Sequence, residues 1–343
     1  MSGLRQPVVG VLGAIGDTPL IELQRLLGRD DIRVWAKYEA ANPGGSSKDR
    51  PAARILAEAI ADGSVTAATT VIESSSGNMG VGLAQACRYH GIKLICVVDA
   101  RATAKSVGTL GALGADVRVA TPAPGTGGDM LVARRQLVSQ LLASVRDAFT
   151  TDQYANRSNP AAHAEGTMRE IDEALDGEID HLLVATSTAG TLLGCCDYLR
   201  SLDRSTHVVA VDAVGSALFG GEASARRLPG LGAGIETAHS KWAEFDQLIR
   251  VSELESVVGC RRLVEREAVF CGASSGAVAF ALASIATQMR PGSRCVMICP
   301  DGGAGYLNTV YDDDWVERAL GCGRTELAAL VQLETRHAAG AAA

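Results

Sequence analysis

Several signatures of common enzyme and binding classes are missing from this chain of 343 residues. No stretch reads G-x-G-x-x-G or G-x-x-x-x-G-K-[ST], so dinucleotide binding and nucleoside-triphosphate hydrolysis lack their usual sequence support. The nine cysteines form no C-x-x-C pair, and the six histidines are never spaced as H-x-H or H-x-x-x-H. We therefore expect reduced thiols, as in a cytoplasm, and no metal site.

Strong positive charge and long hydrophobic segments are also scarce. The formal charge is −7 and no run is rich in Lys or Arg, which argues against a nucleic-acid partner. Residues 8–15 are too short and glycine-containing for a signal peptide. Residues 268–289 are uncharged and long enough to span a bilayer, but G-A-S-S-G at 272–276 predicts a strand end, a loop and a buried helix instead. We expect a cytoplasmic protein without a membrane partner.

What the chain does contain is an alternation of short β-rich runs with helical stretches. With aromatics at 4%, the core must be built mainly from Ala, Val, Leu and Ile. The predicted strands are 33–39, 69–73, 93–99, 116–120, 181–185, 207–212 and 294–299. The predicted helices are 49–62, 79–90, 103–113, 130–148, 161–175, 191–202, 253–267 and 277–289. This order indicates βαβ units, and hence an α/β fold with mostly parallel sheets.

Four polar, glycine-containing loops follow strands or open helices in this pattern. They read N-P-G-G-S-S-K at 42–48, S-S-S-G-N-M-G at 74–80, T-S-T-A-G-T at 186–191 and G-A-S-S-G at 272–276. Parallel sheets bind ligands beyond the carboxyl ends of their strands, next to helix N-termini. These loops are therefore the places where a binding site is expected.

Lys48 stands at the start of the first predicted helix, where Ser46 or Ser47 is expected to be the N-cap. The positive end of the helix dipole disfavours an ammonium there, and burial acts in the same direction. Both effects favour the neutral amine that a covalently cofactor-binding lysine needs. A solvated lysine beside a capped helix remains an equally valid interpretation of this motif alone.

The other loops carry hydroxyl groups and approachable backbone N–H groups. Residues 186–191 are suited to a phosphate monoester without any Lys or Arg, although a plain N-cap loop would look the same. Residues 74–78 are suited to a substrate carboxylate, with Asn78 available to a ring hydroxyl. Ser274 is expected in a tight turn, where it either caps the following helix or contacts a ring nitrogen.

Six ordered motifs together resemble the cysteine synthase branch of pyridoxal-phosphate enzymes, which have the tryptophan-synthase-β fold (fold type II). The resemblance begins at G-D-T-P-L (16–20) and extends to about Trp315. The motifs are N-P-G-G-S-S-K-D-R at 42–50, S-S-S-G-N-M-G at 74–80, D-Q-Y-A-N at 152–156, S-T-A-G-T at 187–191, G-A-S-S-G-A at 272–277 and C-P-D-G-G at 299–303. One motif alone is weak, but six in order are highly specific.

The resemblance implies a role for each matching residue. Lys48 is expected to bind pyridoxal 5′-phosphate covalently and to act as the catalytic base, with Asn78 at the ring oxygen and Ser274 at the pyridine nitrogen. The phosphate-binding residues implied are Ser187, Thr188, Ala189, Gly190 and Thr191. The substrate-carboxylate binders implied are Ser75, Ser76, Gly77 and Gln153. A neutral serine at the ring nitrogen goes with β-elimination rather than transamination in this family.

Departures from the usual cysteine synthase loops point to a subgroup. Ser75 and Met79 replace two threonines of the common substrate loop, and Ser187 and Ala189 stand where glycine is usual. With T-V-Y-D-D-D-W at 309–315, these changes resemble the N-(2-amino-2-carboxyethyl)-L-glutamate synthases of 2,3-diaminopropionate biosynthesis, which serves siderophore and peptide-antibiotic pathways. Such enzymes join O-phospho-L-serine to L-glutamate. A phosphate leaving group needs cationic or hydroxyl partners, and the residues expected to supply them are Arg134, Tyr154 and Ser187.

Two alternatives share the cofactor residues. A cysteine synthase would use sulfide with O-acetylserine or O-phosphoserine, and a catalytically silent protein of this fold would only bind a partner. The family also implies a homodimer with small-molecule substrates and two three-layer domains. The expected domains are a larger cofactor-binding domain of residues 1–44 and 150–325, a smaller mobile substrate-gating domain of residues 45–149, and a C-terminal extension, 326–343, with a disordered end.

Overall fold

The computed structural model describes residues 7–100, 102–121 and 130–333. The strands in these ranges are β1 (Leu20–Leu23), β2 (Arg33–Tyr38), β3 (Thr70–Ser74), β4 (Lys93–Val98), β5 (Asp116–Val119), β6 (Ala148–Phe149), β7 (His181–Ala185), β8 (His207–Ala213), β9 (Gln247–Val251) and β10 (Arg294–Cys299). The helices are α1 (Asp49–Ala61), α2 (Asn78–His90), α3 (Ala104–Ala112), α4 (Met130–Ser144), α5 (Ser158–Ala162), α6 (Arg169–Ala174), α7 (Gly190–Ser201), α8 (Ala238–Trp242), α9 (Glu253–Glu267), α10 (Ala273–Ile285), α11 (Asp313–Leu320) and α12 (Arg324–Gln332). A π-helical turn, His163–Met168, separates α5 from α6.

The strands form two mostly parallel sheets, as predicted. One sheet has the order β5-β4-β3-β6, and all of its pairs are parallel. The other has the order β1-β2-β10-β7-β8-β9, in which β1 alone is antiparallel to its neighbour. Helices connect successive parallel strands, which is the arrangement of an α/β fold.

The chain divides into two compact units. The small unit comprises Met1–Asp17 and Asn42–Asn159 and contains the four-stranded sheet. The large unit comprises Thr18–Ala41 and Pro160–Ala343 and contains the six-stranded sheet. The expected boundaries lay after residues 44 and 149, whereas the units change over after residues 17, 41 and 159. The roles assigned to the two domains remain predictions.

Small and aliphatic side chains fill the core of each unit. Leu56, Leu83 and Cys96 are among the buried residues beside the four-stranded sheet. In the large unit α9 and α10 pack so closely that a Cβ at Gly259 would overlap the carbonyl oxygen of Gly276. The nine cysteines are all buried and unbridged, and burial raises the pKa of several of their thiols. A core poor in aromatics therefore depends on close backbone approach.

Some predicted boundaries were wrong, for identifiable reasons. The helix predicted at 277–289 begins at Ala273, because Gly272 has the extended backbone of an N-cap. G-A-S-S-G is therefore mostly the first helical turn rather than a loop before it. The helix predicted at 161–175 is interrupted by the π-helical turn. The expected disordered end of the C-terminal extension lies outside the described residues.

Within the described ranges, no helix combines the length and the apolar composition that crossing a membrane requires. The uncharged segment 268–289 instead forms α10, a short 3₁₀ turn and the residues that flank them. Almost every residue of α10 is buried, so its apolar character serves the core of the large unit.

Candidate active site

Lys48 occupies the N-cap position of α1 in the small unit. The prediction that Ser46 or Ser47 would be the N-cap was wrong, because the Ser46 hydroxyl hydrogen-bonds to the backbone just before the helix. Ser46 Oγ accepts from the Lys48 backbone N–H at 3.2 Å, which forms a tight turn before the helix. Lys48 Nζ lies 3.4 Å from Ser47 Oγ, and Lys48 is half-buried while both serines are buried. The amine is thus held beside a hydroxyl at a helix start.

The glycines before Lys48 have separate structural reasons. Gly45 has φ +86°, in the left-handed region that glycine adopts without steric cost. Gly44 leaves room for the Asp49 carboxylate, which accepts a hydrogen bond from the Gly44 N–H. Asn42 Oδ1 accepts from the backbone N–H of Gly16 at 2.9 Å, so the G-D-T-P-L motif is tied to the lysine loop. The whole motif fixes the position of the Lys48 backbone.

The loop after β3 brings polar groups to the same part of the small unit. Ser75 Oγ accepts from the backbone N–H of Gly80 at 3.1 Å, inside the first turns of α2. A Cβ at Gly80 would overlap the Ser75 carbonyl oxygen, and a Cβ at Gly82 would lie 3.1 Å from the Lys48 carbonyl oxygen. Two glycines of α2 therefore let its N-terminus approach both the loop and the start of α1. Gly77 and Asn78 are exposed there, and Ser76 is half-buried.

Because of this close approach, Gly80→Ala should displace Ser75 and lower substrate affinity. We expect destabilisation of about 1–3 kcal/mol from overpacking, and a raised KM for the amino-acid donor. The matched control is Gly108→Ala in α3, where a Cβ meets nothing within 4 Å. The higher helix propensity of alanine should raise the free energy of unfolding of this variant by about 0.5–1 kcal/mol. Urea denaturation and donor titration of both variants measure these effects; an unchanged KM for Gly80→Ala would contradict this account of the loop.

Arg134, Gln153 and Tyr154 also belong to the small unit. Arg134 Nε lies 3.4 Å from Asp99 Oδ2, and the arginine side chain is 20% exposed. Burial raises the pKa of Tyr154, and the positive charge of Arg134 partly opposes that increase. Tyr154 keeps 36% of its surface exposed, so solvent screens much of this shift. The neighbouring Arg135 is exposed.

The segment that carries Gln153 and Tyr154 is anchored by buried polar contacts. Thr151 Oγ1 donates to Glu73 Oε2, and Glu73 Oε1 accepts from the Ser74 backbone N–H at 2.9 Å. Burial raises the pKa of Glu73. Asn159 Nδ2 donates to the Gln153 carbonyl oxygen at 2.7 Å. Gln153 itself is buried.

In the large unit, residues 186–191 link the carboxyl end of β7 to α7. Ala189 is the N-cap of α7 at φ 63°, a left-handed backbone that is unfavourable for a residue with a Cβ. This is one of the two positions where the family usually has glycine. Thr188 Oγ1 accepts from the Gly190 N–H at 3.3 Å, which leaves its own hydrogen available to a ligand. Ser187 Oγ lies 3.3 Å from the carbonyl oxygen of Gly232.

The donor set of this loop fits a phosphate group. The first turn of a helix leaves backbone N–H groups without helical partners, and its dipole favours an anion. Thr188 and Thr191 add hydroxyls at the same end of α7. Two hydrogen bonds to backbone carbonyl groups fix the conformation of the loop. The Gly232 N–H donates to the Thr186 carbonyl at 2.7 Å, and Thr237 Oγ1 donates to the Thr188 carbonyl at 2.9 Å. Such bracing holds the donors before a ligand arrives.

Replacing Thr188 and Thr191 together by valine should therefore weaken retention of a phosphate-containing cofactor. Each lost bond to a charged group is worth about 1.5–3 kcal/mol, so the double variant should bind at least about tenfold more weakly. Thr206→Val is the control, because it removes a buried hydroxyl, bonded to the Ile179 carbonyl, at the other end of the sheet. Equilibrium dialysis gives the dissociation constants; equal retention by the double variant and the wild type would exclude this loop as the phosphate site.

Ser274 lies in the first turn of α10 and is only 2% exposed. The N-cap is Gly272, which has no side-chain cap, so Ser274 is not the capping residue. A Cβ at Gly272 would overlap the carboxylate of Asp301, whose Oδ2 accepts from Tyr306 Oη at 2.9 Å. The C-P-D-G-G motif thus packs directly against the start of α10. The hydroxyl of Ser274 is positioned by the helix itself and remains suited to a ring nitrogen.

Comparison with known proteins decides the family. The family model described as pyridoxal-phosphate dependent enzyme matches residues 11–301. The chain belongs to this family. This pyridoxal-phosphate-dependent enzyme is similar in sequence to the N-(2-amino-2-carboxyethyl)-L-glutamate synthase of Ralstonia nicotianae. The two are 41% identical over 308 residues, which cover 90% of this chain and 91% of that protein.

Solved structures of related enzymes have the same fold. O-acetylserine sulfhydrylase isoform 3 from Entamoeba histolytica matches with a TM-score of 0.84 and 28% identity over 97% of this chain and 99% of that one. The O-acetylserine dependent cystathionine beta-synthase from Helicobacter pylori matches with a TM-score of 0.80 and 27% identity over 89% and 99%. Fold type II and dependence on pyridoxal phosphate, both predicted from the motifs, are thereby confirmed.

Each unit brings part of the predicted site together. In the small unit the substrate loop and the start of α1 are linked through α2, while Arg134 pairs with Asp99. In the large unit the phosphate loop lies at the start of α7, which follows β7, and Ser274 lies at the start of α10. Sequence reasoning missed the supporting residues Glu73 and Asp99, and also His163, whose Nε2 lies 3.2 Å from Thr191 Oγ1. Asp99 ends a predicted strand, which was the one available signal for it.

Proposed function

We propose that this enzyme replaces the phosphate of O-phospho-L-serine with the amino group of L-glutamate. The products are N-(2-amino-2-carboxyethyl)-L-glutamate and inorganic phosphate. The observation that carries the proposal is the 41% identity, over nine-tenths of both chains, with a synthase of that name. The ion pair of Arg134 with Asp99 supports the donor half independently, because it supplies a cation, whose charge also acts on Tyr154.

The cofactor-binding roles are proposed from the geometry of each unit. Bound pyridoxal phosphate withdraws electrons from the donor's α-carbon, which makes the α-proton removable and the β-substituent able to leave. Lys48 would attach the cofactor and carry the α-proton at Nζ, with Ser47 Oγ as its neighbour. Asn78 would contact the ring oxygen at the start of α2. A neutral Ser274 hydroxyl would leave the ring nitrogen unprotonated.

The phosphate and carboxylate groups would be held by helix N-termini. Residues 187–191 would bind the cofactor phosphate at the start of α7, through backbone N–H groups and the hydroxyls of Thr188 and Thr191. Ser75, Ser76 and Gly77 would bind the donor carboxylate at the start of α2. Gln153 is proposed as a further carboxylate binder. Both sites use hydroxyls and amides rather than cations, which leaves Arg134 for the leaving group.

Arg134 is proposed to hold the leaving phosphate, with Tyr154 of the same unit as a hydroxyl partner. Asp99 meets the Nε side of the guanidinium, so the two terminal amino groups keep the fork that suits a phosphate. An acetyl leaving group would need no such charge. This distinction is the physical basis for expecting O-phosphoserine rather than O-acetylserine as the donor.

Cysteine synthesis is the second candidate, favoured by the structural neighbours that use O-acetylserine. It would need the same cofactor residues and would differ only in the nucleophile. Mass spectrometry of products formed from O-phosphoserine or O-acetylserine, with glutamate and sulfide supplied together, separates the two. We expect the glutamate adduct from O-phosphoserine as the main product; cysteine alone, from either donor, would establish the second candidate instead.

Three further properties are proposed on the strength of the family. They are a homodimeric assembly, a cytoplasmic location, and a small unit that moves when substrate binds. Sedimentation measurements with and without O-phosphoserine examine the first and third, since closure alters the shape of the particle. A catalytically silent role, the remaining alternative, would require the purified protein to lack the visible absorption of a bound cofactor.

A further inference from the structure

The completely buried imidazole of His163 connects two threonine hydroxyls in the large unit. Its Nδ1 lies 3.0 Å from Thr167 Oγ1, and its Nε2 lies 3.2 Å from Thr191 Oγ1. His163 and Thr167 are both 0% exposed. Thr191 stands in the first turn of α7, within the loop to which the phosphate is assigned. The imidazole therefore contacts a phosphate-loop hydroxyl from the protein interior.

The local fold brings His163 to this place through two uncommon features. His163 begins the π-helical turn His163–Met168, a rare element that tends to occur at functional sites. Gly194 on α7 faces this turn, and its missing side chain allows close packing. A Cβ there would overlap the Pro160 carbonyl oxygen and lie 2.9 Å from His163 Cβ. The approach of the π-helical turn to α7 thus requires a glycine.

The direction of the two hydrogen bonds decides what Thr191 offers to a ligand. A neutral imidazole has one N–H and one acceptor nitrogen. If Nδ1 carries the proton, Thr191 must donate to Nε2, and its hydroxyl then has only lone pairs to present to an anion. If Nε2 carries the proton, it donates to Thr191 Oγ1, and the threonine hydrogen remains free for the phosphate. Only the second arrangement suits a phosphate site.

We propose that His163 is a positioning residue for cofactor binding: its Nε2–H donates to Thr191 Oγ1, which directs the Thr191 hydroxyl hydrogen to the cofactor phosphate. In this arrangement Nδ1 is unprotonated and accepts a hydrogen bond from Thr167 Oγ1, which lies 3.0 Å away. The proposal rests on the assignment of residues 187–191 to the phosphate, and it is independent of which donor and nucleophile react.

Nitrogen-15 NMR of histidine-labelled holoenzyme tests the tautomer directly in the unaltered protein. The His163 signals are assigned by comparison with His163→Gln. We expect the Nε2 signal at the position of a protonated nitrogen and the Nδ1 signal at that of an unprotonated one. Protonation at Nε2 supports the proposal, and an unprotonated Nε2 overturns it.

Two amide substitutions test the consequence for binding. His163→Gln puts its amide nitrogen near the position of Nε2, whereas the shorter His163→Asn reaches only that of Nδ1. We expect near wild-type affinity for pyridoxal 5′-phosphate in the glutamine variant and about tenfold weaker binding in the asparagine variant. Affinity for pyridoxal, which lacks the phosphate, should be unchanged in both. An equal loss for pyridoxal would indicate a purely structural role and overturn the proposal, as would unchanged phosphate-cofactor affinity in His163→Asn.

Two controls separate this inference from the assignments beneath it. His181→Asn changes a different, partly buried histidine of the large unit, at the first residue of β7, whereas His163 is completely buried. This substitution should leave both affinities unchanged. Thr191→Val should weaken pyridoxal 5′-phosphate binding in its own right. If it does while His163→Asn does not, this inference alone fails. If Thr191→Val has no effect, the phosphate-loop assignment fails with it.

Discussion

Replacing Lys48 with alanine is expected to lower kcat by at least about 10²–10⁴-fold, the usual contribution of a positioned acid–base group. The variant loses both the attachment point for the cofactor and the amine that carries the α-proton. Borohydride reduction of the wild-type holoenzyme, followed by peptide mapping, should place the pyridoxyl group on Lys48. Both measurements follow from its position as the N-cap of α1 beside Ser47 Oγ.

Lys93→Ala provides the control for this prediction. Lys93 is exposed at the amino end of β4, away from the carboxyl ends of the strands where the substrate loop lies. Its replacement should leave kcat and the mapped label unaltered. A label on any lysine other than Lys48, or full activity in Lys48→Ala, would refute the assignment.

Arg134→Ala is expected to depress turnover of O-phosphoserine far more than that of O-acetylserine. A lost charge-assisted bond to a desolvated phosphate is worth about 1.5–3 kcal/mol, which corresponds to a fall of roughly 10- to 100-fold in kcat/KM. The acetyl ester carries no charge and should lose little. The ratio of the two kcat/KM values is the quantity to measure, because it cancels any general effect on folding.

The adjacent Arg135 offers a closely matched control for this ratio. It is exposed, whereas Arg134 is mostly buried and paired with Asp99. Arg135→Ala should therefore keep the ratio near that of the wild type. Equal ratios in Arg134→Ala and Arg135→Ala would show that Arg134 plays no part in recognising the leaving group.

The sequence allowed the central strands of the fold and the edge strand β5 to be predicted, but not the other three edge strands. β7 and β10 have the predicted bounds, because continuous apolar runs mark strands that are covered on both faces. β1, β6 and β9 were missed. They lie at the edges of the two sheets, and their partly exposed residues produce no such run.

The candidate site was predicted where its chemistry lies in local motifs. Lys48 and Ser274 could be named because each stands in a short pattern of glycine and hydroxyl residues. His163 could not be, because its contact with Thr191 joins residues 28 positions apart through a π-helical turn. A single histidine has no spacing to a second one that would mark it as functional in the sequence. The N-cap at Lys48 was missed because the Ser46 hydroxyl accepts from the Lys48 backbone N–H and not from an N–H group of the first helical turn.

The most direct test of the proposed function uses enzyme that has been mixed with O-phosphoserine and has released its phosphate. Stopped-flow absorbance then follows its return to the resting spectrum after glutamate or sulfide is added. We predict a return rate that rises with glutamate concentration and saturates, because a dicarboxylate needs a defined binding site. Rapid return with sulfide, and no response to glutamate at any concentration, would show that the enzyme is a cysteine synthase and contradict the proposal.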